Sequence, residues 1–123
     1  MKEQTEKWVE QAEYDLETAK AMLQTKRYVY VVFMRHLTLE KMLKAIFTER
    51  RSDYPPRIHS LSKLARKAKA VFPEDFQDFI EALSELSIPT RYEEEVRSIG
   101  RRQAQNTLSQ TRKVFKWLKQ QLG

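Results

Sequence analysis

Residues 28–48 read YVYVVFMRHLTLEKMLKAIFT, and this stretch decides the fold. Wound on a helix at about 100° per residue, its apolar side chains Val29, Val32, Phe33, Leu37, Leu39, Met42, Leu43, Ile46 and Phe47 cover most of the circumference. Only the middle of a bundle lets every face of such a helix leave water. Three polar residues, His36, Glu40 and Lys44, interrupt this surface at four-residue spacing, in one stripe between Val29, Phe33, Leu43 and Phe47. Imidazole, carboxylate and amine set among apolar side chains must find partners inside the fold, because burying a charge alone is too costly.

Outward from this rod the periodicity predicts four more helices. Residues 5–24 place Trp8, Ala12, Leu16, Ala19, Met22 and Leu23 on one stripe, with Asp15 interrupting it near the centre. Asp15 needs a cation, and Lys44 or His36 on the neighbouring helix are the expected partners. The short link 25–27 makes the first two helices an antiparallel hairpin. Pro55 and Pro56 forbid helix after residue 49. Ser60 is the expected N-cap of a third helix carrying Leu61, Leu64, Ala65, Ala68 and Val71 inward until Pro73. Glu74 and Asp75 open a fourth helix, which turns Phe76, Phe79, Ile80, Leu83 and Leu86 inward before Pro89. A loop over 87–100 carries Arg91 and Tyr92, a guanidinium beside a ring, which suits stacking and phosphate contact. The last helix, 101–121, buries Ala104, Leu108, Thr111, Val114, Phe115, Leu118 and Leu122. Trp117 falls outside that arc, either covering a partner or folding down at the helix edge.

The whole composition agrees with one all-α domain over residues 1–123, an up-and-down bundle of four or five helices. With 2 Gly and 4 Pro there is little turn chemistry for a multi-stranded sheet. The absence of cysteine removes disulfides and thiolate metal sites and fits a cytoplasmic address. No run approaches the roughly 20 apolar residues of a membrane span. The net charge of +6 is uneven: after Glu95 there are seven basic residues and no acid, so residues 1–95 sum to −1. Arg101, Arg112, Lys116 and Lys119 fall within about 60° of one another on the last helix, a basic ridge able to meet phosphate or to lie in solvent.

Four motifs in order resemble the HEPN domain (higher eukaryotes and prokaryotes nucleotide-binding). Trp8, Ala12, Asp15-Leu16 and Ala19 resemble its opening helix, and Glu40-Lys41-Met42-Leu43-Lys44-Ala45 its aEKxLKA pattern. His59-Ser60-Leu61-Ser62-Lys63-Leu64 is similar to its HxLxxL start of the third helix, and Arg91-Tyr92 to its RY before the final helix. The resemblance implies a helical bundle, often a homodimer, similar to the C-terminal domain of kanamycin nucleotidyltransferase. It also implies pairing with a separately encoded minimal nucleotidyltransferase, as a toxin–antitoxin or accessory pair. The resemblance also implies that HEPN ribonucleases carry an Arg, then roughly four to six residues, then a His, and no Arg here precedes His36 or His59 at that separation.

These readings give three functional expectations. The first is a non-catalytic HEPN protein without a resident cofactor, which dimerises, partners a nucleotidyltransferase and binds a nucleotide through His36, Glu40, Lys44, Arg91 and Tyr92. In this reading Asp15, His36, Glu40 and Lys44 form a buried polar network. The second is a metal-independent ribonuclease using an atypical pair such as Arg35 and His36. The third is a nucleic-acid-binding module using the Arg101–Lys119 ridge. Metal binding is not expected, since two histidines in separate elements make a poor ligand set.

Overall fold

A computed structural model describes residues 1–51, 53–85 and 99–122, and among these described residues there are five helices. They are α1 (Glu3–Gln24), α2 (Tyr28–Arg50), α3 (Leu61–Lys67), α4 (Glu74–Glu85) and α5 (Arg101–Leu122). The all-α expectation holds, with no strand among the described residues.

α1 and α2 form the expected antiparallel hairpin, and each caps the other's far end. The Lys2 backbone N–H donates to Glu49 Oε1 at 2.9 Å and the Thr5 hydroxyl to the same oxygen at 3.1 Å. A side chain from α2 thus satisfies donors that a helix start leaves open. The hydrogen bond from the Lys2 N–H is the main reason the Glu49 carboxyl titrates below its ordinary range. In return, Lys2 Nζ donates to the carbonyls of Thr48 and Arg51, each at 3.0 Å.

At the hairpin turn Lys26 adopts a left-handed conformation with φ 63°. Arg27 N–H donates to Met22 O at 2.7 Å and Lys26 N–H to Leu23 O at 3.1 Å, the paired bonds of a Schellman cap. A Cβ disfavours this conformation, so Lys26→Gly should raise the unfolding free energy by about 1 kcal/mol, read from the urea midpoint. An unchanged or lower midpoint would contradict it.

α2 is the middle rod along its C-terminal half, where Leu39, Met42, Leu43, Ala45 and Ile46 are fully buried. They pack with Ala12 of α1, Leu61 and Leu64 of α3, and Val114 and Leu118 of α5. A smaller cluster of Ala19, Val31, Ala104 and Leu108 closes the other end. The expectation that α2 leaves water on every face fails in its first turns. Val29, Tyr30 and Phe33 are exposed, Phe33 at 46%, because the chain before α3 covers this side of α2 only from about His36 onward.

α3 starts as expected, Ser60 Oγ accepting from Lys63 N–H at 3.3 Å. It ends earlier than expected, at Lys67, with Lys69 left-handed (φ 57°) and Ala70 N–H donating to Ala65 O at 2.9 Å. Arg50 completes this end by donating to the carbonyls of Ala68 (3.1 Å) and Lys69 (2.7 Å). Leaving the helix there breaks the 3.6-residue phase, so Val71 lies in solvent and Phe72 takes the buried place.

α4 buries Ile80 and Leu83, with Phe76 and Phe79 half-buried; Leu86 lies outside the described residues. Trp117 of α5 folds down onto this side, its ring 5.1 Å from Phe72 and 6.2 Å from Phe76. α5 runs antiparallel to α1: its last turns reach the middle of α1 through Lys119 and Glu13 at 2.8 Å, while its first turns join the cluster around Ala19.

Candidate functional site at Glu40

The predicted stripe on α2 becomes a node centred on one carboxylate. Glu40, its side chain 6% exposed, sits where the segment leading into α3 crosses α2. His59 Nδ1–H donates to Glu40 Oε1 at 2.8 Å. His36, one turn before Glu40, donates from Nε2 to the His59 carbonyl at 2.9 Å and lies 3.8 Å from Glu40 Oε1. Lys44, one turn after, places Nζ 3.5 Å from Glu40 Oε2 and 5.5 Å from the centre of the Trp8 ring on α1. One carboxylate therefore links three parts of the fold. A carboxylate and a carbonyl can only accept, so this geometry assigns N–H to Nδ1 of His59 and to Nε2 of His36.

The two imidazoles differ in environment. The His59 side chain is 80% exposed, so its ring stands in water while one edge is fixed by Glu40. Burial is the main reason His36 titrates below 6.5, outweighing its hydrogen bond to His59 and the nearby Glu40 charge. A histidine that resists protonation when folded binds its proton more readily when unfolded, so its share of stability is present above pH 6.5 and lost as pH falls below it. Guanidinium unfolding should show stability falling as the pH drops below 6.5, with the fall reduced in His36→Gln; an equal fall in the variant would contradict this.

Asp15 is not part of the node. Its Oδ2 lies 2.6 Å from Lys41 Nζ, so Lys41, and not Lys44 or His36, is the cation that answers it. The expected four-residue network of Asp15, His36, Glu40 and Lys44 is thus two separate clusters, because the crossing of α1 over α2 brings Lys41 to Asp15 and Lys44 to Trp8. Arg35 and His36 also part company. Arg35 is 5% exposed and donates from Nη1 to Thr107 Oγ1 of α5 at 2.7 Å, on the far side of α2 from the Glu40 node.

Arg91 and Tyr92 lie outside the described residues. The ridge residues Arg101, Arg112, Lys116 and Lys119 are all exposed, and Lys119 is tied to Glu13. Among the described residues no group of three or more His, Cys, Asp or Glu could hold a metal ion. No described helix is long and apolar enough to cross a membrane.

Sequence reasoning missed His59 as a member of the node and Glu49 as a cap, since both act across the fold. It named Arg35 only as an atypical partner of His36 and missed its buried place, although a signal was present: Arg35 stands four residues from both Val31 and Leu39, on the inner face of α2.

The HEPN-domain family model matches residues 5–121, nearly the whole chain. This chain belongs to the HEPN family. Solved structures with the same HEPN fold agree. ST0689, an archaeal HEPN homologue, is 25% identical, with a TM-score of 0.80 and 100% of each chain covered. TT1696 from Thermus thermophilus is 24% identical, with a TM-score of 0.80 over 97% of this chain and 98% of that one. No curated protein matches the sequence.

Proposed function

We propose that this HEPN protein is a non-catalytic binding subunit, the partner of a minimal nucleotidyltransferase, carrying a nucleotide-binding capacity of its own. The observation that supports this reading is how the ionisable stripe is employed. Glu40, His36 and Lys44 are engaged in tying α1, α2 and the segment before α3 together. A pair of groups already committed to cross-links is a poor acid and base, since proton transfer needs both within reach of substrate. A second copy covers the exposed Val29, Tyr30 and Phe33 in this reading, making the working form a homodimer. Isothermal titration with ATP and GTP should give saturable heat, and a nucleotidyltransferase encoded beside this protein should be retained by it on a column. Light scattering should give twice the 14.7 kDa chain mass. Absence of both heat and retention would overturn the proposal.

One observation favours a second reading, a metal-independent ribonuclease. A buried carboxylate holding an exposed imidazole by Nδ1–H leaves Nε2 as the basic edge, the arrangement of a general base. His59, not His36, would then carry the activity. Cleavage of total RNA that His59→Ala abolishes and Lys113→Ala preserves would select this reading over the first.

A further inference from the structure

We propose that the corner where α2 gives way to α3 binds single-stranded nucleic acid, with Arg51, Lys67 and Lys69 taking phosphates and Tyr54 taking a base. Residues 50–69 hold seven basic side chains against one acid, Asp53. The following stretch, 70–95, holds eight acids and one base, so a sum over 1–95 hides the cluster. Asp53 is engaged by Arg51, Nε to Oδ1 at 3.6 Å. Lys67 and Lys69 are exposed and, among the described residues, pair with no acid.

The shape supplies the second half of the argument. Two open grooves share Arg51 and Asp53 as their common wall. One, of about 530 Å³, is lined by Arg50, Lys67 and Lys69; the other, of about 570 Å³, by Trp8, Tyr54 and Pro55 with Lys2 and Glu3 of opposite charge at its edge. Arg50 is held on the carbonyls ending α3, and the Arg51 guanidinium lies 5.3 Å from the Phe47 ring centre, so the cationic wall is built before a ligand arrives. Tyr54 is 90% exposed, which costs free energy in water and suits a ring offered to a flat partner. A cationic groove beside aromatic rings is the combination that single strands use, phosphates in one and stacked bases on the other. An acidic protein surface would answer the cations and leave the rings unexplained.

The test is fluorescence anisotropy with a fluorescein-labelled oligouridine of about twelve nucleotides, at about 50 and about 200 mM salt. Three phosphate contacts predict a salt slope of about −2, or roughly twentyfold weaker binding at the higher salt. Lys67→Gln with Lys69→Gln should weaken binding about tenfold or more at the lower salt and cut the slope by about 1.4. Tyr54→Ala should weaken it about fivefold or more without changing the slope, since one stacked base is worth about 1–3 kcal/mol. The same double neutralisation on α5, Lys113→Gln with Lys116→Gln, should change affinity less than about twofold. Each variant is first shown to keep its helical circular dichroism. Equal losses from the two neutralised pairs, a full-strength Tyr54→Ala, or equal competition by a polyglutamate peptide would overturn the proposal. So would the absence of RNA binding, and salt-sensitive self-association that the Lys67/Lys69 variant abolishes would then assign the corner to a second copy.

Discussion

Glu40→Ala is expected to lower the unfolding free energy by about 3 kcal/mol, a drop in Tm of roughly 12 °C for a domain of this size. The loss has three parts. Lys44 would keep its charge in a position whose side chain is 13% exposed, with the carboxylate that answers it gone. His59 would lose the acceptor for Nδ1–H, releasing the segment that leads into α3. His36 would keep its bond to the His59 carbonyl but lose the anion beside it. The exposure of His59 keeps the cost at the low end for a buried network, because water can take over its donor. Glu40→Gln separates the parts: it preserves an acceptor for His59 and removes the charge, and should cost about half as much. A loss under about 1 kcal/mol in Glu40→Ala would mean that the node holds nothing together.

Leu43→Ala should cost about 3–4 kcal/mol, among the largest losses from any single truncation on α2. Leu43 is fully buried in the cluster where α1, α3 and α5 all meet α2. Neighbours on several separate elements cannot all collapse into the space left behind, so most of the cavity persists. Denaturant titration measures the loss directly. Phe33→Ala, also apolar and on the same helix but 46% exposed, should cost less than about 1 kcal/mol in the isolated chain. Similar losses at the two positions would contradict the assignment of α2's C-terminal half to the core.

The contrast between Leu43 and Phe33 shows where the sequence is legible. Helical periodicity places both among apolar neighbours, and it correctly finds the rod, the hairpin, the Ser60 cap and most of the inward faces of α3 to α5. Periodicity on one helix does not say how far along that helix a covering segment reaches, so the exposed first turns of α2 are invisible to it. The same holds for charge partners. His36, Glu40 and Lys44 form a stripe by spacing alone, yet Asp15 is answered by Lys41 because the crossing of two helices decides which lysine arrives. His59 stands nineteen residues after Glu40 across two prolines, and no pattern within α2 announces it. Family membership was readable from the order of the motifs, and the HEPN match over residues 5–121 establishes it.

The central claim is that Glu40 pins the segment before α3 to α2 through an oriented imidazole. Nitrogen-15 NMR of the histidine side chains at about pH 8 tests it most directly, because it reports which ring nitrogen carries the proton and free neutral histidine carries it mainly on Nε2. The structure requires His59 to be protonated on Nδ1 and His36 on Nε2, with His59 reverting to the Nε2–H form in Glu40→Ala. A His59 that carries its proton on Nε2 in the unmodified protein would contradict the account.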